Sequence, residues 1–435
     1  MNLLKIKWEN FKNLTSPLTA FFLGTGLACC AYALMTSILS VRLDQHGLST
    51  SKAGLVLVLY YVGYIFASLE SYKVINRVGH IRSFAAHISA FAALSLTHAF
   101  YYDPMFWGIL RLLEGYCIGT ATMCLESWLN TRANNKNRGT IMSFYMITTY
   151  LGSSLAQLML NIPDKSEVII YMIVSILFSI SLIPITLTAL PTPDITKHKS
   201  MPLLELYKKT PVGVIACFVS GCFVGTFYML GAIYTKKLEF SMQETSLFMF
   251  CGVFGGMLVQ LPIGKLSDKM DRRFVMIGAC TILCLITPFM PHAILHNKLY
   301  LTIFSGLLGA CTFIIYPVCV SHINDLIDDS ERIQASGKLI LMQGSGLILG
   351  PIIVSALMEK FGNNSFAYSF GGISLVFILF TLVAFILKPK IQYIRNTPTE
   401  PIPTATTQVF DHLATKDTLF EMKTKNFFRK LKNWF

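Results

Sequence analysis

The sequence predicts an all-α membrane protein of twelve transmembrane helices in two six-helix halves. Three observations carry that prediction. Of the 435 residues, 53% are apolar and 14% are charged. A soluble domain carries roughly a quarter charged, so these residues cannot furnish a water-facing shell. The apolar residues also come in runs of roughly 18–25, enough for a helix rising ~1.5 Å per residue to cross a ~30 Å hydrocarbon core. Finally, a near-constant offset carries Pro17 to Pro211, Gly115 to Gly309, Asn130 to Asn324 and Arg138 to Arg332. Each half holds an even number of spans, so both keep one orientation. That makes a parallel pseudo-two-fold repeat about an axis along the membrane normal.

The spans are expected at 17–41, 51–73, 83–101, 105–129, 139–162, 168–190, 211–235, 246–264, 274–292, 299–323, 336–358 and 366–387. The first run is too long for a signal-peptide core and no small-residue cleavage site follows it, so it is read as a retained span. Residues 1–16 form a cytoplasmic N-terminus, 17–190 and 211–387 the two halves, and the Pro-containing, lysine-bearing stretch 191–210 the central cytoplasmic loop. Residues 388–435 read as a Pro/Thr linker and a basic tail. There Phe420, Phe427, Leu431, Trp434 and Phe435 lie near one helical face among Lys423, Lys425, Arg429, Lys430 and Lys432. That pattern suits an amphipathic helix on the anionic lipids of the inner leaflet. A solvated basic tail is the alternative.

Orientation follows from the 36 lysines and arginines. With the N-terminus inside, the outer side holds Arg42, Lys52, Lys165, Lys236, Lys237, Lys298 and Lys360. Apart from Arg111, which lies within a span, the others fall on the side of the two termini, making that side cytoplasmic. The net charge of +13 is therefore a topological signal, and no nucleic-acid partner is expected. The 11 cysteines sit mostly within spans, as do Cys29, Cys117 and Cys280, with no CxxC and no Cys/His metal spacing. They read as small core residues, and no metal or cofactor is expected.

Arg111 is the most informative single residue. It lies roughly 9 Å into span four from its outer end, where a charge must face protein or water and find a partner. Glu114 is three residues on, so both occupy one helix face. Gly115 and Gly119 follow at small-xxx-small spacing, which admits a second helix closely. The pair reads either as a charge on the transport path that modulates proton binding at Glu114, or as a permanent lock between spans. Glu126, at the inner end of span four, is a proton site or a partner of Arg132 or Arg138. Glu70 carries the same ambiguity before the turn at Arg77 and Gly79. Tyr32, Thr36, Tyr64, Tyr145, Tyr150, Gln157, Tyr228, Gln260 and Gln343 are candidates to line a cavity, or else glue between helices worth about 0.6 kcal/mol each. His87, His98 and His322 could relay protons; packing against a backbone carbonyl is the commoner role for such residues.

Gly264, Asp268, Lys269, Arg272 and Arg273 form a dense basic turn between spans eight and nine, and Arg77 and Gly79 a weaker copy between spans two and three. The run Asn324-Asp325-Leu326-Ile327-Asp328-Asp329 has the look of a magnesium-diphosphate motif. It falls on the repeat of Asn130 beside Arg332, however, and reads as an ion-paired loop. No HExxH, GxSxG or Walker motif is present in the sequence, so an ion gradient is the expected energy source.

These residues resemble the major facilitator superfamily across 17–387. Its signature G-x-x-x-D-[RK]-x-G-[RK]-[RK] is matched by Gly264, Asp268, Lys269, Arg272 and Arg273, with Asp271 in place of the second glycine. The first-half copy matches at Arg77 and Gly79, with Asn76 where the aspartate and Tyr72 where the glycine should stand. Arg111 to Gly119 is similar to the family's span-four R-x-x-x-G-x-x-x-G. Glu126 to Asn130, Arg138-Gly139 and Tyr150 to Gly152 look more narrowly like its bacterial YcaD-like branch. The Gly-Pro that drug/proton antiporters of the family carry in span five is missing here; Gly350-Pro351 stands in span eleven.

The resemblance implies the major facilitator fold, a charge latch on the cytoplasmic side and proton coupling at Arg111. Together the residues and the resemblance lead us to expect a non-enzymatic, monomeric secondary transporter. It would move a small organic solute across a bacterial inner membrane by alternating access, coupled to protons. A non-transporting receptor or scaffold, and a membrane prenyltransferase, are the alternatives weighed.

Overall fold

A computed structural model describes residues 2–132, 138–164, 166–187, 202–291, 298–327 and 329–387. The linker and basic tail at 388–435, and most of the central loop before Leu203, lie outside them. Among the described residues every regular element is a helix. The first half comprises α1 (Asn2–Gln45), α2 (Thr50–Val78), α3 (His80–Thr97), α4 (Pro104–Arg132), α5 (Arg138–Met159) and α6 (Ile169–Thr186). A short α7 (Leu203–Lys209) lies within the central connection. The second half comprises α8 (Pro211–Lys237), α9 (Met242–Ser267), α10 (Arg272–Ile286), α11 (Lys298–Phe313), α12 (Ile315–Asn324), α13 (Asp329–Phe361) and α14 (Ser365–Leu387).

Among the described residues, eight helical segments are long and apolar enough to cross a membrane by length and composition. The remaining expected spans are the helices α3, α4, α5 and α10, which are shorter or more polar. α4 carries Arg111, Glu114 and Glu126, and α10 has only 15 residues. The tenth expected span is two helices, α11 and α12, parted at Ile314. The cause is local: Pro317 has no N–H to donate to the carbonyl of Phe313, four residues back. Leu206 of α7 is buried beside α8, so the central connection is not all loop.

The two halves repeat their helix crossings. A Cβ on Gly115 of α4 would overlap the Tyr60 carbonyl of α2, and one on Gly63 would overlap the Leu112 carbonyl. In the second half, Gly309 of α11 meets the Gly252 carbonyl of α9, and Gly255 meets that of Gly306. A side chain at any of these positions would force the helices apart. The outer faces are apolar: Ile176, Ile180 and Ile183 of α6, and Leu375, Leu379 and Ile386 of α14, are exposed. Such a face suits lipid, which solvates alkyl groups as well as a protein core does.

We call the end bearing the α2–α3 and α9–α10 turns the basic end, and the opposite end the far end. The halves are bridged at the far end. Lys237 of α8 lies 2.8 Å from Asp44 of α1. Ser246 of α9 donates to the Gln157 carbonyl of α5 at 2.6 Å. Glu359 of α13 accepts from the Ser51 amide at 3.0 Å, so a carboxylate of the second half caps α2 of the first.

Candidate functional site: a buried charge cluster in the first half

α4 begins where Asp103 accepts from the Phe106 amide at 2.7 Å, with Pro104 in the first turn. Both are ordinary helix-start signals. Two turns in, Arg111 and Glu114 are fully buried. Arg111 Nε donates to Glu114 Oε2 at 2.6 Å, and its Nη2 donates to the same oxygen. The tight α2–α4 crossing sets the Tyr60 ring 4.9 Å from the guanidinium carbon, a cation–π contact strengthened by desolvation. Tyr60 in turn stacks on Tyr32 of α1 at 6.3 Å between centroids.

The other side of the pair faces α3 and α6. His98 Nδ1 lies 3.5 Å from Glu114 Oε1 and 3.2 Å from the Leu94 carbonyl oxygen. The His98 ring stacks on Tyr171 at 6.0 Å and meets the edge of Trp107 at 5.4 Å. Arg111 Nη1, Glu114 Oε1, His98 Nε2 and the Tyr171 hydroxyl are buried without a hydrogen-bond partner among the described residues. Each such buried atom costs about 1–3 kcal/mol, so the cluster holds polar capacity that packing alone does not use.

The other sequence candidates fall into separate groups. Glu126 is buried and accepts from the Tyr145 hydroxyl at 3.3 Å; the side chains of Arg132 and Arg138 lie outside the described residues. Tyr150 and Tyr228 both meet Phe313 edge-on, at 5.9 and 5.7 Å, joining the halves at mid-depth where α11 breaks. Thr36 is buried one turn from Tyr32, its hydroxyl without a partner among the described residues. Gln157 accepts from Ser37 at 2.8 Å and belongs to the far-end bridge. Tyr64, Gln260 and Gln343 are half-buried. Gln260 Oε1 has no partner among the described residues, and Gln343 backs onto Gly221 of α8.

The basic turn is an ion-paired knot. Arg272 binds Asp325 at 2.7 Å and Asp268 at 3.1 Å. Asp271 caps α10 through the Arg273 amide at 2.9 Å and holds the Arg273 side chain at 2.6 Å, while that guanidinium lies 4.0 Å from the Phe385 ring centroid. Each of these contacts stays within the second half. Asp325, part of the Asp-rich run, is thereby committed to an arginine. Lys269 and Gly264 lie at the same end. In the first-half copy, Arg77 is exposed and Gly79 takes a positive φ of 88° that favours glycine.

His98, Tyr60 and Tyr171 are the members of the cluster that the sequence did not single out as a group. His98 does pack on a backbone carbonyl, as expected, but it reaches Glu114 as well. Matching depths across the short α3–α4 connection would have placed it beside Trp107.

The fold and these buried polar groups define a multi-pass helical membrane protein of the transporter class, built from two repeated halves. The sequence profile of the Major Facilitator Superfamily matches residues 21–292 and 214–430, and the chain belongs to that superfamily. It is 26% identical over 375 residues to an Escherichia coli K12 protein described as the uncharacterized MFS-type transporter YcaD, covering 85% of this chain and 96% of that one. Among solved structures it is similar to the nucleoside transporter NupG, with a TM-score of 0.68 at 16% identity over 87% of this chain and 100% of that one. It is also similar to a bacterial homologue of the human lysosomal transporter Spinster in an inward-facing, occupied conformation. The TM-score there is 0.65 at 12% identity, over 86% and 96% of the two chains. These likenesses show the fold.

Proposed function

We propose that the protein is a proton-coupled secondary transporter of a small organic solute. It works by alternating access in a bacterial inner membrane, as a monomer with the basic end and both termini in the cytoplasm. The coupling proton binds at Glu114 beside Arg111. One observation carries this reading. The positions that hold Arg111 and Glu114 in the α2–α4 crossing hold Ser305 and Leu308 in the α9–α11 crossing, counted back from Gly115 and Gly309. Ser305 donates to the Phe248 carbonyl at 2.7 Å and Leu308 is fully buried. The same crossing is thus built without charge in one half and with a buried ion pair in the other. Burying such a pair gains little or no stability over apolar packing, which favours a role in the working cycle.

The far-end bridges fit a state closed to the outside. Tyr150, Tyr228 and Phe313 stand where a solute would pass between the halves. The basic tail supplies contacts for anionic inner-leaflet lipids. The test is a ligand-stabilisation screen on purified protein, followed by proteoliposome transport of the hits with and without a pH gradient. Gradient-dependent accumulation is expected. Counterflow that ignores the gradient would remove the proton, and binding without any counterflow would leave a receptor.

A further inference from the structure

At the far end α1 stops on a glycine cap. The Gly47 amide donates to the Asp44 carbonyl at 2.9 Å and the Leu48 amide to the Leu43 carbonyl at 3.1 Å, with Gly47 at a φ of 75°. These two bonds close the helix in a left-handed stop and fix its last turn. Two ionisable side chains leave that turn for different neighbours. Asp44 reaches Lys237 of the second half at 2.8 Å. His46 stays with its own half: Nε2 lies 3.2 Å from Glu167 Oε2, and the ring stacks on Tyr102 at 3.8 Å between centroids.

The groups packed around His46 are Glu167 of the α5–α6 connection, Tyr102 of the α3–α4 connection with Asp103 beside it, Trp107 of α4, and Arg42 and Asp44 of its own helix. Asp103 is engaged by the Phe106 amide at 2.7 Å. Arg42 is a like charge near the ring, but Asp164 at 3.2 Å and Glu167 Oε1 at 3.0 Å hold it. Glu167 thus binds Arg42 with one oxygen and meets His46 with the other. Its backbone takes a φ of 60°, a conformation that residues with side chains rarely adopt and that persists where the surroundings impose it. The His46 and Glu167 side chains are 30% and 45% exposed, so water reaches both.

We propose that His46 and Glu167 form an outer proton-binding clasp that favours closure of the far end. This rests on the reading of the far end as the outer side, and not on proton coupling at Glu114. Facing a carboxylate, Nε2 carries the hydrogen of the neutral ring, so a proton from the outer water adds at Nδ1. The imidazolium then makes a charge-assisted bond to Glu167 and a cation–π contact with Tyr102. Both contacts hold the last turn of α1 where Asp44 meets Lys237. A closed arrangement that binds the proton more tightly is favoured by acid, and closure fades as pH rises. Imidazoles change charge between about pH 5 and 8, which sets the window.

The test follows closure by pulsed spin-label distances in the full chain in detergent. Labels sit at Phe100→Cys and Phe289→Cys, exposed far-end positions in the two halves, and the half-buried Cys29, Cys251 and Cys284 are changed to Ser. Circular dichroism confirms that each variant is folded. Between pH 8 and pH 5.5 the ratio of the shorter, closed distance to the longer one should rise about two- to fivefold, the scale of a partly exposed ion pair. His46→Gln should abolish the response and Glu167→Gln should weaken it. His46→Arg, with a fixed charge, should stay at the acid level throughout. A parent that ignores pH, a response of opposite sign, or one that survives His46→Gln or is undiminished in Glu167→Gln overturns the proposal. The readings it stands beside fail separately. Transport that ignores the pH gradient removes coupling at Glu114 and leaves the clasp. Failure of a membrane-impermeant reagent to label Phe100→Cys in intact cells overturns the outer placement, whatever the titration in detergent.

Discussion

The two halves of this protein are built on one packing plan and bury different polar groups. Both use glycines to bring their second and fourth spans into backbone contact, at Gly63 and Gly115 in one and at Gly255 and Gly309 in the other. Beside that contact the first half buries Arg111 and Glu114, and the second buries Ser305 and Leu308. The basic turn shows the reverse asymmetry. In the second half Asp268, Asp271 and Asp325 engage Arg272 and Arg273, whereas the first-half copy has Asn76 at the position equivalent to Asp268. The lesson is that the repeat specifies packing while the charged groups differ between the halves, a buried ion pair in one and an ion-paired knot at the basic end in the other.

The largest effect is expected where that asymmetry is broken. Arg111→Ala leaves the Glu114 carboxylate buried without its partner, a loss of about 3–5 kcal/mol, and transport should be abolished. Arg111→Ser with Glu114→Leu imports the second half's own solution into the first. Thermal unfolding of this double variant should match or exceed that of the unmodified protein, by up to about 4 kcal/mol, with counterflow lost. Retained gradient-driven transport in the double variant would mean the pair is structural and the contrast between halves idle.

Much of this plan is legible in the sequence, because hydrophobic run length and the repeat of Pro17, Gly115 and Asn130 are properties of the chain. Arg111 and Glu114 stand out for a similar reason: charge inside an apolar run is rare. The break between α11 and α12 was signalled by Pro317 but hidden by the unbroken apolar run around it. The place of His98 beside Glu114 was not legible, although the residue itself stands out as a histidine within a span. A histidine at a helix end satisfies its backbone equally well with or without a carboxylate nearby, and only the packing of α3 on α4 and α6 brings His98 to Glu114. Gln157 likewise reads in sequence as either cavity lining or glue between helices, and only the structure shows its side chain accepting from Ser37 and its carbonyl from Ser246.

A second contrast lies between the deep cluster and the charges at the far-end surface, and pH separates them. Asp164, in the α5–α6 connection, starts α6. Burial works to raise its carboxyl, but the Ile170 and Ile169 amides, the Ser166 hydroxyl and Arg42 together hold it below the ordinary value of 3.8. A carboxyl depressed by folding stabilises the fold above its unfolded value, and that contribution disappears as pH falls through the lower folded value. Melting temperature should therefore drop on acidification below about pH 4, and Asp164→Asn should flatten that part of the curve. An unchanged acid limb in Asp164→Asn would show that other carboxylates set it. Lys237→Ala, which removes the bridge to Asp44, should act on conformation more than on stability. Cysteine-accessibility labelling at far-end positions should rise several-fold, and no change would place the closure in the apolar contacts instead.

The smallest effect is expected at the basic turn. Asp268 is exposed and pairs with Arg272 at 3.1 Å, while Asp325 holds the same guanidinium at 2.7 Å from a less exposed position. Losing one of two carboxylates leaves Arg272 anchored, and exposed pairs contribute ~0–1 kcal/mol. Asp268→Asn should therefore slow turnover modestly with solute affinity unchanged, whereas Arg272→Ala, which frees Asp268 and Asp325 together, should slow it much more. Initial rates and equilibrium binding on the same proteoliposome preparations measure both quantities. A large loss of binding in Asp268→Asn would connect the knot to the solute path and erase the division of labour between the halves.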